Sequence, residues 1–142
     1  MKLNDAARAL IGSGADATLV TLNPDGSPQV SLVWVVLQSG DDGDELVSAH
    51  LSENYKKVRN VRRDGRVALT IVSTEPGDVM RPYLSVTGTA RIVDGGAPEL
   101  LRDLAKVMIT ADDVKFPPDD APAGYLTRIR IESVGGIGPW AG

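Results

Sequence analysis

Apolar and polar positions alternate along much of this chain with a period of two, and three stretches break that rhythm with a period near 3.6. Leu3, Ala6, Ala7, Leu10 and Ile11 recur at helical spacing, which predicts a short helix over Leu3–Ser13, ended by Gly12 and Gly14. Ala17–Leu22 mixes Thr with larger apolar side chains and predicts a strand. Asn23-Pro24-Asp25-Gly26 is a turn, because Pro fixes φ and Gly accepts a positive one. Gln29–Leu37 is the next strand, so the two make a hairpin. Its centre, Leu32 to Val36, is apolar on both faces, which places it in a barrel or beneath a helix.

Ser39–Asp44 reads as a polar loop and Glu45–Ala49 as the third strand. Ser52 is the expected N-cap of a second helix, with Glu53 where a negative charge suits the dipole and Asp64-Gly65 at the close. Arg66–Ser73 is the fourth strand, Glu75–Asp78 a turn, and Tyr83–Val93 the long fifth strand, with Gly88 as a bulge or bend. Ala97–Ile109 is a third helix with Leu100, Leu101, Leu104, Val107 and Met108 inward. Asp112–Pro122 is an acidic, Pro-rich loop. Tyr125–Ile131 is the last strand, and Gly135–Gly142 a Gly-rich tail carrying Trp140. Strands dominate and several are joined as hairpins, so the expected class is α+β, a mostly antiparallel barrel with a few packed helices.

The length of 142 residues suggests one domain spanning 1–142, with 42% hydrophobic and 24% charged residues. There is no cysteine, which removes disulfides, thiolate metal sites and a Cys nucleophile. The single histidine, His50, argues against a multi-histidine metal site. A formal net charge of −4 argues against general nucleic-acid binding. The most apolar run, Val30–Leu37, is far short of the ~20 residues of a membrane helix. The N-terminus lacks the apolar run of a signal peptide, so the expected location is cytoplasmic. Arg outnumbers Lys, and Ala, Gly, Asp and Val are frequent, the look of a GC-rich genome.

Against that acidic background, His50–Arg66 is basic: Lys56, Lys57, Arg59, Arg62, Arg63 and Arg66 oppose only Glu53 and Asp64. Such a helix is either a solvated face, with Val58 and Val61 inward, or a local anion site. Other chemistry is thin. P-loop and dinucleotide fingerprints are absent, and Gly135-Gly136-Ile137-Gly138 opens no helix. A Ser-His-Asp triad on His50 stays open, while Asp41-Asp42 and Asp119-Asp120 read as solvation in loops.

Three stretches resemble the pyridoxamine 5′-phosphate oxidase-like split β-barrel family. They are Asp25-Gly26-Ser27-Pro28-Gln29-Val30-Ser31; Lys57, Asn60 and Arg63 ahead of Asp64-Gly65-Arg66-Val67; and Val86-Thr87-Gly88-Thr89-Ala90-Arg91-Ile92. Their order and spacing look most similar to the actinobacterial branch that uses the deazaflavin coenzyme F-420. The resemblance implies a six-stranded split barrel that forms a homodimer, with flavin or deazaflavin sites at the interface and a small-molecule acceptor. It also implies that the cofactor phosphate lies at the start of the basic helix, with Lys57 as the phosphate lysine. The backbone of Ser48, Ala49, His50 and Leu51 would meet the pyrimidine edge, and Ser31, Leu32, Val33 and Trp34 the ring face. Tyr83 and Trp140 would reach the site from the partner chain.

One position departs from the pattern. Many relatives carry Arg two residues before the phosphate lysine; here Tyr55 stands there, so either Lys56 substitutes or the phosphate is held more loosely. The expected function is therefore F-420-dependent hydride transfer to a small planar acceptor. The alternatives are an FMN-dependent oxidase or reductase and a flavin-binding protein without turnover. Every side-chain role keeps its plain counterpart: Lys57 as a surface residue, Trp34 as core, His50 as a hydrogen-bonded structural group, Trp140 as packing.

Overall fold

A computed structural model describes residues 1–140. Six strands close into one antiparallel barrel in the order β1-β2-β3-β6-β5-β4, with β4 returning to β1. They are β1 (Ala15–Leu22), β2 (Pro28–Gly40), β3 (Gly43–His50), β4 (Arg66–Val72), β5 (Tyr83–Asp94) and β6 (Tyr125–Ile137). Three helices accompany them: α1 (Asp5–Ile11), α2 (Lys56–Arg63) and α3 (Ala97–Met108). This is the expected α+β split barrel.

The period-two pattern is what makes the barrel. Leu19, Val33, Val35, Leu46, Leu69, Ile71, Leu84, Val86, Ile129 and Ile131 fill its interior, while their neighbours in sequence face outward. Each fully buried aliphatic side chain contributes about 1.5–3 kcal/mol relative to exposure. Closure also leaves no free sheet edge. The helices meet opposite ends. Leu3, Ala7 and Ile11, on and just before α1, pack into the core where β3 begins and β6 ends. Val61 of α2 packs from the other end, where β1 finishes. A buried carboxylate holds the N-terminus in place. Asp44 accepts from the Leu3 N–H at 2.7 Å, from Ser39 at 2.8 Å and from the Arg8 guanidinium. Burial pushes its pKa up, but these donors outweigh burial and hold it below the usual carboxylate value.

Several expected boundaries move, for identifiable reasons. The first helix is Asp5–Ile11 rather than Leu3–Ser13, because Asn4 caps it by accepting from the Ala7 N–H at 2.9 Å and Gly12 ends it at φ 57°. The expected Ser39–Asp44 loop is mostly ladder: Ser39 pairs with Asp44 and Gly40 with Gly43, leaving Asp41-Asp42 as the turn. The Gly-rich tail is also largely strand. β6 continues to Ile137 because Gly135 and Gly136 pair with Ser85 and Leu84. At Gly136, φ is +100° and a Cβ would stand 2.2 Å from the Tyr83 carbonyl oxygen, so glycine is required where β5 passes closely. Ala141 and Gly142, the end of that expected tail, lie outside the described residues. The bulge expected at Gly88 is present, as a register shift between Thr87 and Gly88.

The outside of the barrel has two characters. On one side, Glu45 pairs with Arg91 and Arg128, and Glu132 accepts from Thr89 and Arg130, a charged and solvated surface. On the other, register-matched outward positions are uncharged: Val30 beside Val20 and Ala68, Leu32 beside Thr18, Thr70 and Ser85, and Val72 beside Tyr83 and Ile137. Val30 is 61% exposed and Leu32 67%. The outer face of β2 is thus covered only in part, where α3 packs on β2 and β3.

Candidate functional site

Between the outer face of β2–β3 and α3 lies a cavity of ≈ 300 Å³. Strand β2 contributes Leu32, Val33 and Trp34, and β3 contributes Ser48, Ala49 and His50. The segment after β3 supplies Leu51 and Tyr55, α2 supplies Lys57, α3 supplies Leu101, and the loop before β6 supplies Phe116. One wall is aromatic: the Trp34 and Phe116 rings meet edge to face with centroids 6.0 Å apart. The opposite corner is cationic.

That corner is built by the start of α2, three residues later than the sequence suggested. Ser52 is not the N-cap; its Oγ accepts from the Asn54 N–H at 3.0 Å in a local turn. Glu53 is not a first-turn acid; its carboxylate accepts from the Tyr125 hydroxyl at 2.8 Å, and Arg62 stacks 5.0 Å over the Tyr125 ring. Tyr55 is the N-cap, and among the described residues no side-chain cap bond satisfies the first-turn donors. The Tyr55 carbonyl already accepts from Val58 and Arg59, so the helix end points its positive dipole and the Lys56 and Lys57 N–H groups outward. Lys56 and Lys57 are the first two residues of the helix.

Lys57 is half-buried, its ammonium 5.2 Å from the centroid of the Tyr55 ring, and burial lowers its pKa. It joins no ion pair among the described residues. His50 is buried, with Nε2 2.8 Å from Thr127 Oγ1. Burial, reinforced by the charge of Lys57, pushes the imidazole down to about 4, so it is neutral at ordinary pH. Below the helix, Asn60 donates to Thr21 Oγ1 at 3.0 Å and to Asn23 Oδ1 at 3.2 Å, and Arg63 donates to the Leu22 carbonyl. These bonds tie α2 to the β1–β2 turn.

Of the residues singled out in the sequence, Leu32, Val33, Trp34, Ser48, Ala49, His50, Leu51 and Lys57 meet around this cavity. Ser31 does not; its Oγ is buried without a partner among the described residues. Lys56 is exposed at the helix start, where its charge acts on Asp25. Tyr83 and Trp140 lie elsewhere, joined to each other by the indole N–H donating to the Tyr83 carbonyl at 2.7 Å. Trp140 lines a different cavity, ≈ 550 Å³, between α1 and the end of α3. The sequence reading missed Tyr55, Leu101 and Phe116 as lining residues; Tyr55 was noted only as a departure from the family's Arg. Leu101 carried a helical-face signal but not its direction, and Phe116 sits in a loop with no periodicity. Among the described residues no cluster of His, Cys, Asp or Glu could hold a metal ion, and no helix is long and apolar enough to cross a membrane.

The profile of the family described as pyridoxamine 5′-phosphate oxidase matches residues 3–136. No curated protein matches the chain. Among solved structures, an F420 reductase aligns over 90% of this chain and 94% of its own, at 23% identity and a TM-score of 0.72. HupZ from Group A Streptococcus aligns over 98% of this chain and 97% of its own, at 16% identity and a TM-score of 0.65. A heme binding protein from Mycobacterium smegmatis aligns over 92% of this chain and 52% of its own, at 22% identity and a TM-score of 0.65. These likenesses establish the barrel.

Proposed function

The chain belongs to the pyridoxamine 5′-phosphate oxidase family, and on that premise we propose that it is a homodimeric oxidoreductase that uses coenzyme F-420 to pass hydride to a small planar organic acceptor. The observation that carries this reading is the cationic corner. A half-buried Lys57, without a carboxylate partner among the described residues, stands beside the open N-terminus of α2, on the wall of a largely apolar cavity. That donor set fits a phosphate on an otherwise apolar tricyclic ligand.

When bound, the deazaflavin supplies the hydride chemistry. The chain's own residues would do the rest. Lys57 and the first N–H groups of α2 would hold the phosphate. The backbone of Ser48 to Leu51 would offer hydrogen bonds to the polar edge of the ring, and Trp34 and Leu32 an apolar face that keeps water out. Among the described residues, Lys57 is the one cation lining this cavity. Together with Tyr55 in the place of a further Arg, that favours the singly charged phosphodiester of F-420 over the dianionic terminal phosphate of FMN. Along α2, Lys56 and Arg59 join no ion pair among the described residues, whereas Arg63 donates to the Leu22 carbonyl and to Asn60 Oδ1.

The uncharged outer face centred on Val30, Leu32 and Val72 supports a second copy of the chain as the missing cover. On this reading Tyr83 and Trp140 reach the partner's cavity. Fluorescence titration of the apo-protein with F-420 and with FMN, at low and high salt, tests the cofactor. Tighter F-420 binding that weakens with salt is expected, because exposed charge pairs are screened. Tighter FMN binding, or FMN co-purifying in stoichiometric amount, would overturn it.

A further inference from the structure

Tyr55 does more than fill the place of a missing cation. We infer that Tyr55 is a positioning residue whose ring face holds the ammonium of Lys57 at the anion corner, an inference that rests on the reading of Lys57 as the phosphate lysine. Three observations carry it. The ammonium lies 5.2 Å from the Tyr55 ring centroid, within the range where the negative face of an aromatic ring attracts a cation. Lys57 is half-buried and joins no ion pair among the described residues, so the ring compensates its desolvated charge. The ring is itself held: Tyr55 is the N-cap of α2, and its ring meets the His50 imidazole edge on at 6.4 Å. His50 in turn is fixed against Thr127.

The consequence is specific to chemistry. A flexible lysine on a wet helix would spend much of its time away from the cavity, paying rotamer entropy each time it met a ligand. A lysine resting on a ring is pre-placed on the cavity wall that it shares with that ring. A carboxylate in that role would cancel the charge; the ring holds the ammonium and leaves its charge available to an anion. The site thereby presents one fixed cation rather than two mobile ones, which suits a monoanionic phosphodiester.

Two ligands isolate the effect: F-420, and the riboflavin-level deazaflavin that ends at the ribityl hydroxyl and so lacks phosphate and tail. Tyr55→Phe keeps the ring and is expected to leave both affinities within about twofold. Tyr55→Leu is expected to weaken F-420 about fivefold and the phosphate-free deazaflavin less than about twofold. Equal weakening of both ligands would show Tyr55 to be cavity wall only and overturn the inference. A cofactor-independent readout separates this inference from the cofactor assignment. In reductively methylated protein, the dimethyl-Lys57 signals, assigned through Lys57→Arg, are expected to be shifted upfield by the ring. That shift is expected to survive Tyr55→Phe and vanish in Tyr55→Leu. Its absence in the wild type, or its persistence in Tyr55→Leu, would overturn the placement whatever cofactor binds.

Discussion

The His50 imidazole sits with Nε2 2.8 Å from Thr127 Oγ1, across the β3–β6 ladder, in a setting that leaves the residue 4% exposed. It is therefore a buried, hydrogen-bonded histidine on the wall of the cavity. Its folded pKa is about 4 against an ordinary 6.5, from burial first and the charge of Lys57 second. Between those values the unfolded chain binds the proton and the folded one does not, so stability rises with pH across the window. The contribution is fully present above pH 6.5 and is lost as pH falls toward 4. It amounts to about 3 kcal/mol by the pKa difference. Urea denaturation of the wild type and His50→Gln from pH 8 to 4 should show a wild-type loss in that window that the variant lacks. Parallel curves would show that His50 is not the titrating group.

Much of this was written in the alternation of side chains. Leu19, Leu69, Ile71, Leu84 and Val86 announce an interior by period two alone, and the Gly88 bulge follows from a glycine inside a strand pattern. What the sequence hid depends on distant partners. Ser52 and Glu53 look like the opening of a helix, yet Glu53 is engaged by Tyr125, 72 residues away, and the helix waits until Lys56. Trp34, Ser48 to Leu51 and Lys57 of the cavity were named by the family resemblance, not by any strand or helix signal. Phe116 was not, because a loop side chain reaches its place through tertiary packing that no local pattern records.

Gly136 illustrates the same limit and gives a test. It read as part of a Gly-rich tail, but it sits in β6 at φ +100° with the Tyr83 carbonyl where a side chain would begin. Gly136→Ala should cost about 1–3 kcal/mol in a denaturation midpoint, the scale of one strained backbone position. Gly26 has φ +84° and nothing within 4 Å of a built Cβ, so Gly26→Ala carries the conformational cost without the clash and should lose less. Equal losses would mean that strand contact does not matter at Gly136.

Assembly is read from Val30. Its side chain is outward and 61% exposed, and it does not line the cavity, so replacing it should leave the barrel intact. Light scattering of the 15.0 kDa chain should return twice that mass at micromolar concentration. Val30→Glu should return the monomer with an unchanged circular dichroism spectrum, because two buried like charges without partners oppose association. A wild-type monomer, or a Val30→Glu dimer, would remove the proposed interface.

The anion corner makes the sharpest comparison, because two cations on neighbouring helices differ in what surrounds them. Lys57 is half-buried against an aromatic ring, at a helix end with free N–H groups. Arg102 is exposed on α3, facing a separate groove with Lys106 and Lys115, and it touches neither the first cavity nor the start of α2. If the cofactor phosphate meets Lys57, Lys57→Ala removes a charge-assisted hydrogen bond from a partly desolvated site. Cofactor affinity should then fall by about 1.5–3 kcal/mol. Arg102→Ala removes a screened charge that no part of the ligand reaches, so its effect should stay within about 0.5 kcal/mol. Isothermal titration of the two variants with the same cofactor reads both numbers. Comparable losses would mean that general positive charge, not the Lys57 geometry, attracts the ligand, and the site assignment would fall with it.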